Sequence, residues 1–266
     1  MTDMEQIIAE ILAIKVAFLV GWAGLLLIAE RIAPAASPPD AAKGPAGRRR
    51  IGRNLGLFLI NSALSPLFVL PVTAFAALQA PDWRPGWWAG PWGLLADILL
   101  LDLFLYIWHR ANHEIGLLWR FHQVHHFDRF LDVTSAVRFH AGEVALSALA
   151  RGAFVFVADI PLASVLIFEI VVLTCSLFHH SNGKLPQVIE KALSFLIVTP
   201  GWHWLHHHAV RRDTDSNYAT LLPLWDRIFG TANPGQRDPA MRIGLEGEER
   251  DPALPALLLQ PFRNRA

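Results

Sequence analysis

Apolar residues gather in long runs along this chain, with little of the two-residue alternation of a half-buried strand. Several runs approach the roughly 20 residues that a helix needs to cross a bilayer core. The first is Ile7 to Ile28, with Lys15 as its one mid-segment charge. Lacking a basic start and a small-residue cleavage site, it reads as a retained helix and not a signal peptide. The second, Leu55 to Leu78, contains Pro66 and Pro71, which lipid tolerates where neighbours satisfy the freed carbonyls. The third is Trp92 to Trp108. A further stretch, Val144 to Phe178, is interrupted by Arg151, Asp159 and Pro161 and predicts two shorter helices that return to the side they left.

The loops between these runs set an orientation. Arg31, Lys43, Arg48, Arg49, Arg50 and Arg53 lie between the first two spans and mark that loop as cytoplasmic, a topology signal touching anionic headgroups. Trp83, Trp87, Trp88 and Trp92, between the second and third, have the composition of the far interface. Counting spans brings His109, His179 and His180 out on the cytoplasmic side. The expectation is an all-α integral-membrane helical bundle of four to five spans, in a bacterial inner membrane, with a cytoplasmic helical cap carrying the histidines. Residues 1–54 would form the first span and basic linker, 55–231 the catalytic part and 232–266 a polar tail. Helices of a soluble protein are the competing reading, disfavoured by the number and length of the runs.

Composition narrows the chemistry. Of 266 residues, 53% are hydrophobic and 17% charged, with a mean hydropathy of +0.34, which excludes disorder. The 23 basic and 23 acidic side chains cancel, leaving no field to track nucleic acid. Cys175 stands alone, so an intramolecular disulfide, a paired-cysteine redox motif and a cysteine-built metal site are all excluded. The 12 histidines, in contrast, all lie between His109 and His208.

Their spacing is that of ligands. His109 and His113 in HRANH sit one helical turn apart on one face. His122, His125 and His126 in HQVHH occupy i, i+3 and i+4, and His203, His206 and His207 repeat that pattern in HWLHH. His140 lies between them in FHAGE, as do His179 and His180 ahead of Ser181 and Asn182. A histidine-rich solvated surface would not produce helical spacing three times over. Imidazole suits iron, zinc, copper and nickel, and this many candidates exceed one ion's capacity, so two metals are implied. All-imidazole sites beside lipid fit redox iron better than hydrolytic zinc. Neutral ligands call for nearby carboxylates to accept the outer ring N–H groups. Asp102, two turns before His109, and Glu143, three residues after His140, are candidates. Glu169 either serves likewise near His180 or pairs with Arg151 to close the hairpin.

HRANH, WRFHQVHH, RFHAGE, FHHSN and TPGWHWLHHH followed by DSNYATLLPLWDRIFGT, in this order from about Leu99 to Thr231, resemble the fatty acid hydroxylase / sterol desaturase superfamily of integral-membrane non-haem diiron enzymes. The resemblance implies an O2-dependent enzyme that hydroxylates or desaturates a lipid C–H bond with two irons held by histidines. Residue by residue, it implies His109, His113, His122, His125, His126, His203, His206 and His207 as ligands, with His180 as the next. His179 and His140 are either ligands or neighbours of ligands, and His208 turns away from His203. In the Asn217 to Thr231 stretch, Trp225 and Phe229 are expected to pack, Asp226 and Arg227 to lie at the surface, and Asn217 and Tyr218 to approach the site. Trp202 and Trp204 flank His203 where relatives carry smaller or basic residues, rings that would reshape a lipid channel.

Absence of a Gly-rich dinucleotide fingerprint, a flavin motif or a haem domain implies electrons from a separate reductase or cytochrome. The lipid is a sterol, fatty acyl chain, sphingolipid, ether lipid or carotenoid, undecided between them. Competing functions are a metal transporter, which would set its ligands near the midplane, a haem-binding membrane electron carrier, and a zinc-dependent membrane hydrolase. Zinc is the alternative to the two irons.

Overall fold

A computed structural model describes residues 3–250 and 252–263, with side chains from residue 14 onward. Among the described residues there is no strand; the chain is all helical. The helices are α1 (Asp3–Ile32), α2 (Gly44–Leu64), α3 (Val69–Leu78), α4 (Gly90–Glu114), α5 (Gly116–His126), α6 (Ala141–Val157), α7 (Leu162–His180), α8 (Gln187–Leu193), α9 (Pro200–His206), α10 (Arg211–Thr214), α11 (Leu224–Ile228) and α12 (Leu254–Leu259).

Among the described residues two helices, α4 and α7, are long and apolar enough to cross a bilayer. The count is three if α2 and α3, bent by 46° at their break, form one broken span. Among the described residues the expected four to five spans are thus not confirmed, and part of the expected first span lies outside them. At 17 residues and with Arg151 inside it, α6 falls short of the required length. The expected first span has residues 7–13 outside those whose side chains are described; beyond them Lys15 bonds Glu169 at 2.8 Å. Arg151 reaches the same carboxylate at 3.2 Å, so Glu169 joins α1, α6 and α7 and, among the described residues, has no histidine partner.

The hairpin inferred from Arg151, Asp159 and Pro161 is present as α6 and α7. Its turn lies at the same end as the tryptophan-rich connection: Trp83 donates its indole N–H to the Val157 carbonyl, and Asp159 accepts from the Trp83 N–H. From this end α4 and α7 run to the opposite end, where their last turns carry the histidines. Leu101, Val155, Val165 and Phe168 fill the space between α4, α6 and α7, while Phe75, Leu59 and Phe18 remain exposed on the outer surface. Apolar side chains both inside and outside are what a lipid-facing bundle requires.

One expectation about charge is overturned. Arg48 and Arg49 are exposed, but Arg50 and Arg53 are buried. Arg50 pairs with Asp128 at 2.9 Å and also with Asp132. Asn54 donates to Asp128, and Arg138 donates to the Asn54 side chain and to the Val124 carbonyl. The buried cation is accommodated because two carboxylates surround it, and it locks α2 onto the loop after α5 instead of facing headgroups.

Candidate metal centre

Four helices deliver the histidines, each by its own local logic. The buried residues of α4 (Gly93, Asp97, Leu101, Asp102, Tyr106, His109, Asn112 and His113) recur three or four residues apart, with adjacent pairs at 101/102 and 112/113, and form one stripe, so His109 and His113 end the face that packs inward. Helix α5 presents His122, His125 and His126, and the last turn of α7 presents His179 and His180. Thr199 caps α9 by accepting from the Trp202 N–H, with Pro200 next to it, a start signal that fixes where the third box begins to turn.

The rings meet in two groups. His109, His113, His122, His126 and His206 form one, with a candidate ligand atom of each within 4.8 Å of every other; His125, His180, His203 and His207 form the second on the same criterion. Each HxxHH box is divided: the first and last histidine enter one group and the middle one crosses to the other. Since α5 and α9 do this in opposite senses, the centre has a pseudo-twofold arrangement.

In the first group the Nε2 atoms of His109 and His126 lie 3.1 and 3.2 Å from Nε2 of His122. In the second, His180 Nε2 lies 3.2 Å from His125 Nε2 and 3.0 Å from His203 Nε2, which is 3.1 Å from His207 Nε2. Two nitrogens at right angles on one ion, each about 2.1 Å from it, would be about 3.0 Å apart. His113 Nε2 and His206 Nε2 are buried without a partner, as a lone pair waiting for a metal would be. The residues present fit two ions.

The outer nitrogens fix the tautomer. His109, His125, His180 and His206 donate Nδ1–H to the carbonyls of Tyr218 (2.6 Å), Arg138 (3.1 Å), Ser176 (2.8 Å) and Ser216 (2.7 Å). A carbonyl can only accept, so the proton sits on Nδ1 and leaves Nε2 free. His122 donates to Glu143 at 2.6 Å and His113 to Asp215 at 3.3 Å. Burial, and after it the crowding of neighbouring rings, holds His125, His126, His203 and His207 well below the ordinary imidazole range; burial pushes His206 down to about 3. A lowered pKa favours the neutral imidazole in these five rings, the form that binds a cation.

Of the remaining sequence candidates, Glu143 takes the expected place and Asp102 does not. Asp102 accepts from the Trp225 indole at 2.7 Å and from the Leu222 N–H, because the C-terminal segment comes between it and the rings. His140 has both nitrogens committed, accepting from Gly142 N–H and donating to the Leu258 carbonyl, and belongs to neither group. His179 packs on His203 and His180, at 4.2 and 4.7 Å between ring centres, but is not among the converging atoms. His208 bonds Asp213 at 2.8 Å, turned away as expected. Tyr218 reaches the centre through its carbonyl; the Asn217 amide donates to the Trp202 carbonyl. Asp226, expected at the surface, is fully buried and accepts from the Tyr218 and Ala219 N–H groups and the Trp202 indole. Trp204 is packed against Phe130 in the core.

Sequence reasoning sought carboxylates around the rings and missed the carbonyls, which every residue possesses and no motif marks. It also missed Asp215 and the Arg50–Asp128 pair. Asp128 two residues after His126, and Asp215 in the DSNY stretch, were the available signals.

Comparison with known proteins follows the same boundaries. The pattern of the fatty acid hydroxylase family matches residues 94–231, just over half of the chain. The chain is similar to an ornithine lipid hydroxylase of Rhizobium tropici, 28% identical over 210 residues that cover 77% of this chain and 62% of that protein. It is similar to the alkylglycerol monooxygenase of Homo sapiens, 30% identical over 147 residues, 54% of this chain and 31% of that protein. A cholesterol 25-hydroxylase-like protein of Danio rerio is 29% identical over 146 residues, 53% of this chain and 55% of that protein. In each case the match spans less than two thirds of the relative's own length. No solved structure matches the chain.

Proposed function

The chain belongs to the fatty acid hydroxylase family, and from that premise we propose that it is a membrane-bound, O2-dependent hydroxylase of a lipid C–H bond. It would hold one iron with His109, His113, His122, His126 and His206, and a second with His125, His180, His203 and His207. The observation that carries this reading is the convergence of nine imidazoles into two adjoining groups beside the ends of two apolar helices. A transporter would have its ligands along the spans, near the midplane. Hydroxylation is favoured over desaturation because the relatives are named as hydroxylases and monooxygenases, and a membrane lipid is favoured as substrate because ornithine lipid and alkylglycerol appear in those names.

When bound, the iron pair supplies the activation of O2 that an unreactive C–H bond requires. The protein's part is positional. Glu143 and the carbonyls of Tyr218, Arg138, Ser176 and Ser216 hold Nδ1 protons, so that the Nε2 lone pairs point inward without reorganisation. Burial of all nine rings keeps bulk water from the reacting carbon. Electrons would come from a separate redox protein. The positive-inside argument from Lys43, Arg48 and Arg49 puts the centre on the cytoplasmic side, in the reading adopted here of a bacterial inner membrane.

The test is iron quantification with Mössbauer spectroscopy of the full chain, combined with mass spectrometry of lipid products formed with and without O2. Two irons per chain and an O2-dependent gain of one oxygen atom in a lipid are expected. Zinc in both sites, with a product that forms without O2, would overturn the reading in favour of a hydrolase.

A further inference from the structure

The chain leaving α7 and the chain leaving α1 run side by side: Ala35 N–H donates to the Asn182 carbonyl and Lys184 N–H to the Ala33 carbonyl, both at 2.8 Å. Just beyond this junction, α8, the segment to Thr199, α9 and residues 233–237 line an open pocket of about 720 Å³. Lys184, Lys191, Arg227 and Arg237 line it, with Glu190 as its carboxylate.

The charge in this cavity is unbalanced. Among the described residues none of these four cations makes an ion pair. Arg227 is held by the carbonyls of Ser194 and Phe195, and Arg237 by the Gly183 carbonyl and the Asn182 side chain. The Arg237 guanidinium lies 3.9 Å above the Trp204 ring, and its Nε is buried without a partner. Burial pulls this guanidinium down to about 10, with Glu190 opposing. Glu190 is itself engaged by the Gly201 N–H. Concave surfaces that gather unpaired cations around a planar, forked donor are suited to a phosphate group.

Position indicates where the anion comes from. The cavity lies just beyond the ends of α1 and α7, the latter a helix long and apolar enough to cross a bilayer. The same segment that carries Lys184 and Lys191 exposes Val188 (81%), Phe195 (61%) and Leu196 (67%). Large apolar side chains beside lysines, on a short segment at the end of membrane helices, are the pattern of a segment lying in the lipid interface.

We propose that this cavity holds the phosphate headgroup of an anionic membrane lipid, with Arg237, Arg227, Lys184 and Lys191 as its cationic lining and Val188, Phe195 and Leu196 embedded beside its chains. The site is separate from the metal centre: Trp202 and Leu205 of α9 face the cavity, while His203, His206 and His207 converge elsewhere.

The test is native mass spectrometry of the full chain released from detergent micelles containing phosphatidylglycerol or phosphatidylcholine, with inorganic phosphate as a competitor. Phosphatidylglycerol should be retained in preference to phosphatidylcholine. Arg237→Gln should weaken that retention roughly tenfold or more, the loss of one charged hydrogen bond. Lys191→Gln, at an exposed position, keeps the test open if Arg237→Gln fails to fold. Equal retention of both lipids, or retention unchanged in both variants, would overturn the proposal. Displacement of phosphatidylglycerol by millimolar inorganic phosphate would overturn the lipid source and leave a site for a small free anion.

Discussion

Replacing Glu143 by glutamine separates the two metal sites. Its carboxylate accepts the His122 Nδ1–H at 2.6 Å, and the His122 Nε2 lies within 3.2 Å of two other Nε2 atoms in the first group. Glutamine keeps the volume but loses the charge-assisted bond. If its amide turns its NH2 towards the ring, the proton must move to Nε2, which removes the lone pair from the metal. Losing such a partner weakens a metal site by about 10- to 100-fold, or roughly 1.4 to 2.8 kcal/mol. The assay is stepwise removal of iron by a chelator from the full chain in detergent, followed by metal analysis and Mössbauer spectroscopy. Glu143→Gln should release one of the two irons at a lower chelator concentration, while the second, held by His125, His180, His203 and His207, follows the unsubstituted protein. Asp102→Asn is the paired control, since Asp102 accepts from the Trp225 indole and the Leu222 N–H and, among the described residues, bonds no imidazole. Iron loss in Asp102→Asn with none in Glu143→Gln would refute the assignment of these carboxylates.

His125→Ala should lower iron occupancy from two towards one per chain, with the surviving Mössbauer signal that of the first group. Arg50→Gln leaves Asp128 and Asp132 buried with one less cation, a loss of about 3–5 kcal/mol that thermal unfolding in detergent should register as a lower Tm. His208→Ala and His140→Ala should both retain two irons, because the rings bond Asp213 and the Leu258 carbonyl; loss of iron on metal analysis in either would place that ring in the centre.

Much of the centre was legible because helical spacing is a local property. Residues four apart must share a face, so the pairs 109/113, 122/126 and 203/207 follow from the chain alone. That the middle histidine of each box serves the other site was not legible. It depends on how α5 and α9 meet across the two groups, which the spacing of neither box records. Asp102 shows the same limit from the other side: it shares a face with His109, yet the segment carrying Leu222 and Trp225 comes between. Within the basic run Arg48 and Arg49 are exposed while Arg50 is buried, a difference composition does not record, because only tertiary packing brings Asp128 and Asp132 to Arg50. The apolar runs gave the helices, but a span count also depends on how helices such as α6 are cut short.

Helix α5 carries the second box on one face and Val124 and Phe127 on the other, where Leu57 of α2 and Leu257 of α12 cover them. The fit is close: a methyl added at Gly56 would stand 2.8 Å from a Leu254 methyl. Both covering helices come from outside residues 94–231, the stretch that the family pattern matches. Excising that stretch would strip the jacket from α5 and free three imidazoles to wander.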